Sequence, residues 1–116
     1  MKEYLLIFRA DFLDIATVSS EEMQERNNRW IDWIEELIDK NAFAEDGNHL
    51  TSEGKVLNCN GQITDGPFRE IKESVLGYII INASSFDEAV ELTKECPILA
   101  GENTSVEVRE IIETWD

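Results

Sequence analysis

Gln62-Ile63-Thr64-Asp65-Gly66-Pro67-Phe68-Arg69-Glu70-Ile71-Lys72-Glu73-Ser74-Val75-Leu76-Gly77-Tyr78-Ile79-Ile80-Ile81 is the segment around which the chain is organised. It joins a strand end, a tight bend, a charged connection and an apolar run. Gly66 precedes Pro67 and is biased away from helix, while Pro67 fixes its own φ, so a sharp, rigid bend is expected there. An Asp in a turn usually accepts a bond from the backbone N–H two residues on. Here that residue is Pro67, which has no N–H, so the Asp65 carboxylate is expected to turn elsewhere or to bond the N–H of Phe68. Leu76 to Ile81 is short, unbroken and rich in strand formers. It reads as a strand that is apolar on both faces.

Upstream, Lys55-Val56-Leu57-Asn58-Cys59 and Gln62-Ile63-Thr64 flank Asn60-Gly61, the preferred pair for a two-residue hairpin turn. Downstream, Ser85-Phe86-Asp87-Glu88 is a capping box. It opens a helix whose inner face is Phe86, Ala89, Val90, Leu92, Thr93 and Cys96, stopped by Pro97. Ser105 to Ile112 follows as a strand that alternates at first.

At the other end, Tyr4-Leu5-Leu6-Ile7-Phe8 reads as a central strand buried on both faces. Ser19-Ser20-Glu21-Glu22 repeats the capping box before a long amphipathic helix ending near Asn41. Met23, Trp30, Ile31, Trp33, Ile34, Leu37 and Ile38 share its apolar side. Phe43, Ala44 and Leu50 suggest a strand interrupted by Asp46-Gly47. The order is therefore strand, helix, strand, hairpin, strand, helix, strand. Without the hairpin it is the split arrangement of ferredoxin-like α+β domains, β-α-β-β-α-β. Two helices cover one sheet face, and nothing in the chain remains to cover the other. Apolar sheet left in water is a large exposed patch that monomers rarely tolerate. A homodimer, packed sheet against sheet or edge against edge, is the expectation.

The chain has 116 residues, the size of one domain spanning 1–116. Its 10 Lys and Arg stand against 25 Asp and Glu, a net charge of −15. Such a field repels phosphate backbones and anionic lipid, so no nucleic-acid or membrane partner is expected. The five apolar residues Tyr4 to Phe8 are too few for a signal-peptide core, and no run approaches a membrane span. Cys59 and Cys96 do not form a secreted disulfide framework, so reduced thiols in a cytoplasm are the default.

Several motifs together resemble the YCII-related family, in particular its DGPF branch. They are Lys2 to Arg9, the Trp30 and Trp33 pair, Asp65-Gly66-Pro67-Phe68, Glu70 to Glu73, Gly77-Tyr78, Asp87-Glu88-Ala89, Cys96-Pro97 and Ser105 to Arg109. The resemblance implies a ferredoxin-like domain forming a dimeric α/β barrel. In the wider group it implies small enzymes with a His and an Asp as acid–base partners near the dimer interface, akin to muconolactone-isomerase-like barrels. DGPF members are described near sigma-factor-like transcription proteins. The sequence departs from the wider group in one respect: its first helix holds no His.

Residue chemistry leaves two functions open. In one, the protein is a cofactor-independent enzyme moving protons on a small anionic organic molecule, by isomerisation or elimination. Asp65 is the first choice of acid or base, since a carboxylate at the mouth of an apolar barrel can shuttle protons. His49, the single histidine, is the second; its plainer reading is a solvent-facing side chain. Arg109 shares a strand face with Glu107 and can hold a substrate carboxylate by its bidentate fork, or serve in a structural ion pair. Arg9, Lys72 and Glu73 are further ligand-binding candidates, the plainer reading of the last two being a solvated connection. In the other function, the protein is a non-catalytic dimeric module that binds a ligand or a protein in regulation. The sequence has no Cys-x-x-Cys, no His-rich pair and no phosphate-binding glycine loop, so neither metal nor cofactor is expected.

Overall fold

In a computed structural model, which describes residues 1–11, 19–66 and 74–113, the elements follow the expected order. They are β1 (Lys2–Ala10), α1 (Ser20–Asp39), β2 (Phe43–His49), β3 (Gly54–Leu57), β4 (Ile63–Gly66), β5 (Ser74–Ala83), α2 (Phe86–Thr93), a short 3₁₀ helix (Pro97–Ala100) and β6 (Ser105–Glu110). Four strands form an antiparallel sheet in the order β2-β5-β1-β6, while β3 and β4, among the described residues, pair only with each other. With the hairpin set aside, the two split units interleave so that β1 and β5 lie at the centre. This is an α+β fold consistent with the ferredoxin-like arrangement.

Both helices begin as the capping boxes require. Ser19 Oγ accepts from the N–H of Glu22 at 3.2 Å, and Ser85 Oγ from that of Glu88 at 3.2 Å. Helix α1 ends on Asn41, at φ 57°, with the Ala42 N–H donating to Leu37 O at 2.8 Å and the Asn41 N–H to Ile38 O at 3.0 Å. These two bonds close a Schellman motif, in which Asn substitutes for the usual Gly. The chain is thereby reversed straight into β2.

Both helices pack on one face of the sheet. Tyr4, Leu6 and Phe8 of β1 and Ile79, Ile81 and Ala83 of β5 form a single core with Trp33, Leu37, Ala89 and Cys96. Trp30 and Trp33 belong to packing, as their place on the apolar side of the helix suggests. Phe8, Trp30 and Trp33 meet edge to face, with centroids 5.0 Å (Phe8–Trp30), 5.2 Å (Trp30–Trp33) and 6.4 Å (Phe8–Trp33) apart. Such pairs contribute about 0.5–1.5 kcal/mol each beyond area burial. Trp33 Nε1 also donates to Leu92 O at 3.2 Å, tying α1 to α2.

The structure corrects four expectations. β1 is not buried on both faces within one copy: its residues, like those of β5, alternate between buried and half-buried, because the helices cover one side only. The apolar stripes of the helices are narrower than their sequences suggest, leaving Ile31, Ile38, Phe86 and Val90 exposed. Asp46-Gly47 does not end β2; the strand runs on through register shifts that take up Gly47 at φ 65°. Finally, Asn60-Gly61 is not a two-residue turn. Leu57 faces Ile63, the Asn58 N–H donates to Gln62 O, and the Gly61 N–H returns to Asn58 O at 2.9 Å with Gly61 at φ 84°. That is the three-residue loop closed by a glycine bulge. It is favoured here because Asn60 Oδ1 accepts from the Gln62 N–H at 2.9 Å, holding the longer turn. Asp65 and Gly66 belong to β4, and the bend expected at Pro67 lies outside the described residues.

Candidate functional site

Alternation along the strands decides what the second sheet face presents. Residues opposite one another in antiparallel strands share a face, so the register sets out rows across the sheet. One row is Glu45, Ile80, Leu5 and Arg109; the next is Asn48, Tyr78, Ile7 and Glu107; the third is Val75, Arg9 and Ser105. The middle of this face is apolar and half-buried, while its β6 side is charged. Val106 and Val108 point the other way, against the core, so Glu107 and Arg109 share the open face as their spacing predicts.

Arg9 and Glu107 are diagonal neighbours across β1 and β6. Arg9 Nη2 donates to Glu107 Oε1 at 3.1 Å, and Arg109 Nη1 donates to Oε2 of the same carboxylate at 3.2 Å. Arg9 is mostly covered, with 16% of its side chain exposed, whereas Arg109 is 68% exposed. One guanidinium is therefore built into the sheet and the other reaches into solvent, with Glu107 between them. Hydrogen bonds from Arg109 first and Arg9 second hold the Glu107 carboxyl below its ordinary range. At the opposite margin Asn48 Nδ2 donates to the Tyr78 hydroxyl at 3.0 Å.

The sign of the Glu107 shift sets an acid dependence. A carboxyl with a depressed folded-state pKa contributes stability that is fully present above its unfolded value and is lost as pH falls through the folded one. Thermal midpoints measured below pH 4.5 should therefore fall less steeply for Glu107→Gln than for the unaltered chain. The difference should be small, because the carboxylate is partly solvated. Identical slopes would show that the bridge contributes nothing.

The other candidates lie elsewhere. Asp65 is on the hairpin, 87% exposed, in an ion pair with Lys55 on the facing strand. His49 ends β2 opposite Gly77 and is exposed. No hydrogen bond or ion pair links the two among the described residues. Lys72 and Glu73 fall outside those residues. A shallow cleft of about 310 Å³ at the hairpin root is lined by Leu50, Val56 and Val75 with Thr51, Glu53, Gly54 and Lys55. A second, of about 260 Å³, lies between Lys2 and the Glu110–Glu113 tail. Neither is lined by Asp65, His49, Arg9 or Arg109. The described residues hold no group of three or more His, Cys, Asp or Glu placed for a metal ion, and no helix long and apolar enough to cross a membrane.

Cys96 is buried against the core, and burial pushes its thiol up to about 12. It is a packing residue. Cys59 is exposed in the hairpin loop.

Sequence reasoning paired Glu107 with Arg109 and found Arg9 apart from them, because Arg9 and Glu107 are 98 positions apart. The signal was the split topology, which makes β1 and β6 neighbours. Asn48 and Tyr78 were missed altogether, since nothing local marks their pairing.

No curated protein matches the chain. A sequence model of the YCII-related domain matches residues 14–114, a span that takes in α1, both helix caps, the hairpin and every strand but β1. On that match, the chain belongs to the YCII-related family.

Proposed function

We propose that the chain works as a homodimer, its uncovered sheet faces packed together as an α/β barrel, and that the dimer binds a small anionic organic molecule through Arg9 and Arg109. The observation that carries this reading is the composition of that face: Leu5, Ile7, Tyr78 and Ile80 at its centre, with two guanidiniums on one carboxylate at its side. Charge supports a second copy as what covers it. Helix α1 carries Glu21, Glu22, Glu25, Asp32, Glu35, Glu36 and Asp39 against Arg26 and Arg29, so helix layers of two copies repel each other. On the open face, Arg9 and Arg109 offset two of the three carboxylates Glu3, Glu45 and Glu107, so two such faces repel far less than two helix layers and can meet.

Binding, rather than proton transfer, is what this geometry favours. Asp65 and His49 stand in solvent at separate places, each without the other, whereas Arg109 offers a partly free fork suited to a carboxylate. Asp65 then serves the hairpin rather than a reacting centre.

Calorimetric titration of small mono- and dicarboxylates tests the ligand half of the reading. At least one should bind, and Arg109→Gln should weaken it about 10- to 100-fold, the effect of losing one charge-assisted hydrogen-bond pair. Binding that ignores Arg109→Gln, or no binding by any carboxylate, would remove Arg109 from the site.

A further inference from the structure

We infer that the β3–β4 hairpin is an arm that buries Leu57 and Ile63 against a second copy of this chain, an inference that rests on the homodimer reading. The hairpin pairs with no other strand among the described residues, and an isolated two-stranded hairpin is marginal in water. Its two faces differ. Val56 and Thr64, opposite one another, are half-buried. Leu57 and Ile63, the next pair, are 70% and 67% exposed, the most exposed large apolar residues within the strands of the fold. A solvated strand face normally carries polar residues, so two facing aliphatic side chains left in water mark a contact surface.

The occupant follows from position and charge. At the hairpin root, Val56 and Leu50 share a cleft with Val75, and Val75 stands beside Arg9 on the uncovered sheet face. The arm therefore borders the surface assigned to the dimer. On this arm the acidic excess of the chain is also locally cancelled, since Lys55 and Asp65 pair on the same side as Leu57 and Ile63. A basic partner would be drawn to α1 instead. A second copy of this chain, repelled from the acidic helix layer, meets little resistance along the arm and the sheet face beside it.

The test is sedimentation equilibrium on the unaltered chain and on Leu57→Thr/Ile63→Thr, which keeps strand propensity and removes the aliphatic surface. The double variant should dissociate at least tenfold more readily, with an unchanged near-ultraviolet spectrum. Should it lose its fold, Ile63→Thr alone is measured, with an expected change of at least threefold. A dimer whose dissociation constant ignores the substitutions would overturn the arm while leaving the sheet-to-sheet reading standing. An unaltered chain that is monomeric would overturn both.

Discussion

Gly47→Ala is expected to lower the unfolding free energy by about 3 kcal/mol or more, among the largest losses for so small a change. Gly47 sits at φ 65°, where an L side chain is strained. Space is the larger problem: an added Cβ would lie 1.7 Å from the carbonyl oxygen of Tyr78 and 2.6 Å from its carbon. These are backbone atoms of the neighbouring strand and cannot swing aside, so β2 must pull away from β5. Gly61→Ala is the control. Its φ of 84° is equally unfavourable, but nothing lies within 4 Å of the added methyl. The control should lose only about 1–2 kcal/mol, the backbone part alone. Urea denaturation of both variants measures the difference; equal losses would show that the close approach of β2 to β5 is not what Gly47 serves.

Ile80→Asp should weaken self-association about a thousandfold. Ile80 faces Leu5 at the centre of the uncovered sheet face, half-buried and away from the helices. A carboxylate there would have to be desolvated against apolar side chains of the other copy, with Arg109 the nearest cation in its row. About 4 kcal/mol is the scale of such a penalty, which is three decades in a dissociation constant. The isolated fold should tolerate the change, since the core lies on the opposite face. Light scattering across a concentration series reads the outcome. An Ile80→Asp chain that dimerises like the original would place the interface elsewhere.

How much of this was legible in the residues depends on the range of the interaction. Caps were readable because Ser19 and Ser85 act three residues away. The element order was readable because each run carries its own period. Burial on both faces of β1 was misjudged for a physical reason: an apolar run reports that both faces are apolar, not that something covers both. The exposure of Ile31 and Ile38 has the same origin, since a helix stripe gives direction but not the width of the surface it meets. Asn60-Gly61 was read as the commonest turn for that pair, whereas the bond from the Gln62 N–H to Asn60 Oδ1 selects the longer loop. The site was legible only in pieces. Alternation put Glu107 and Arg109 on one face, but Arg9 joins them through strand pairing that no local pattern encodes. Asp65 drew attention because Pro67 denies it the usual partner, and it found one across the hairpin in Lys55.

Dimerisation through bare sheet is the proposition on which the ligand site and the arm both depend. Sedimentation equilibrium of the unaltered chain at micromolar concentration tests it most directly. A single species of twice the 13.3 kDa chain mass is expected; a species of 13.3 kDa that persists as concentration rises would rule the dimer out.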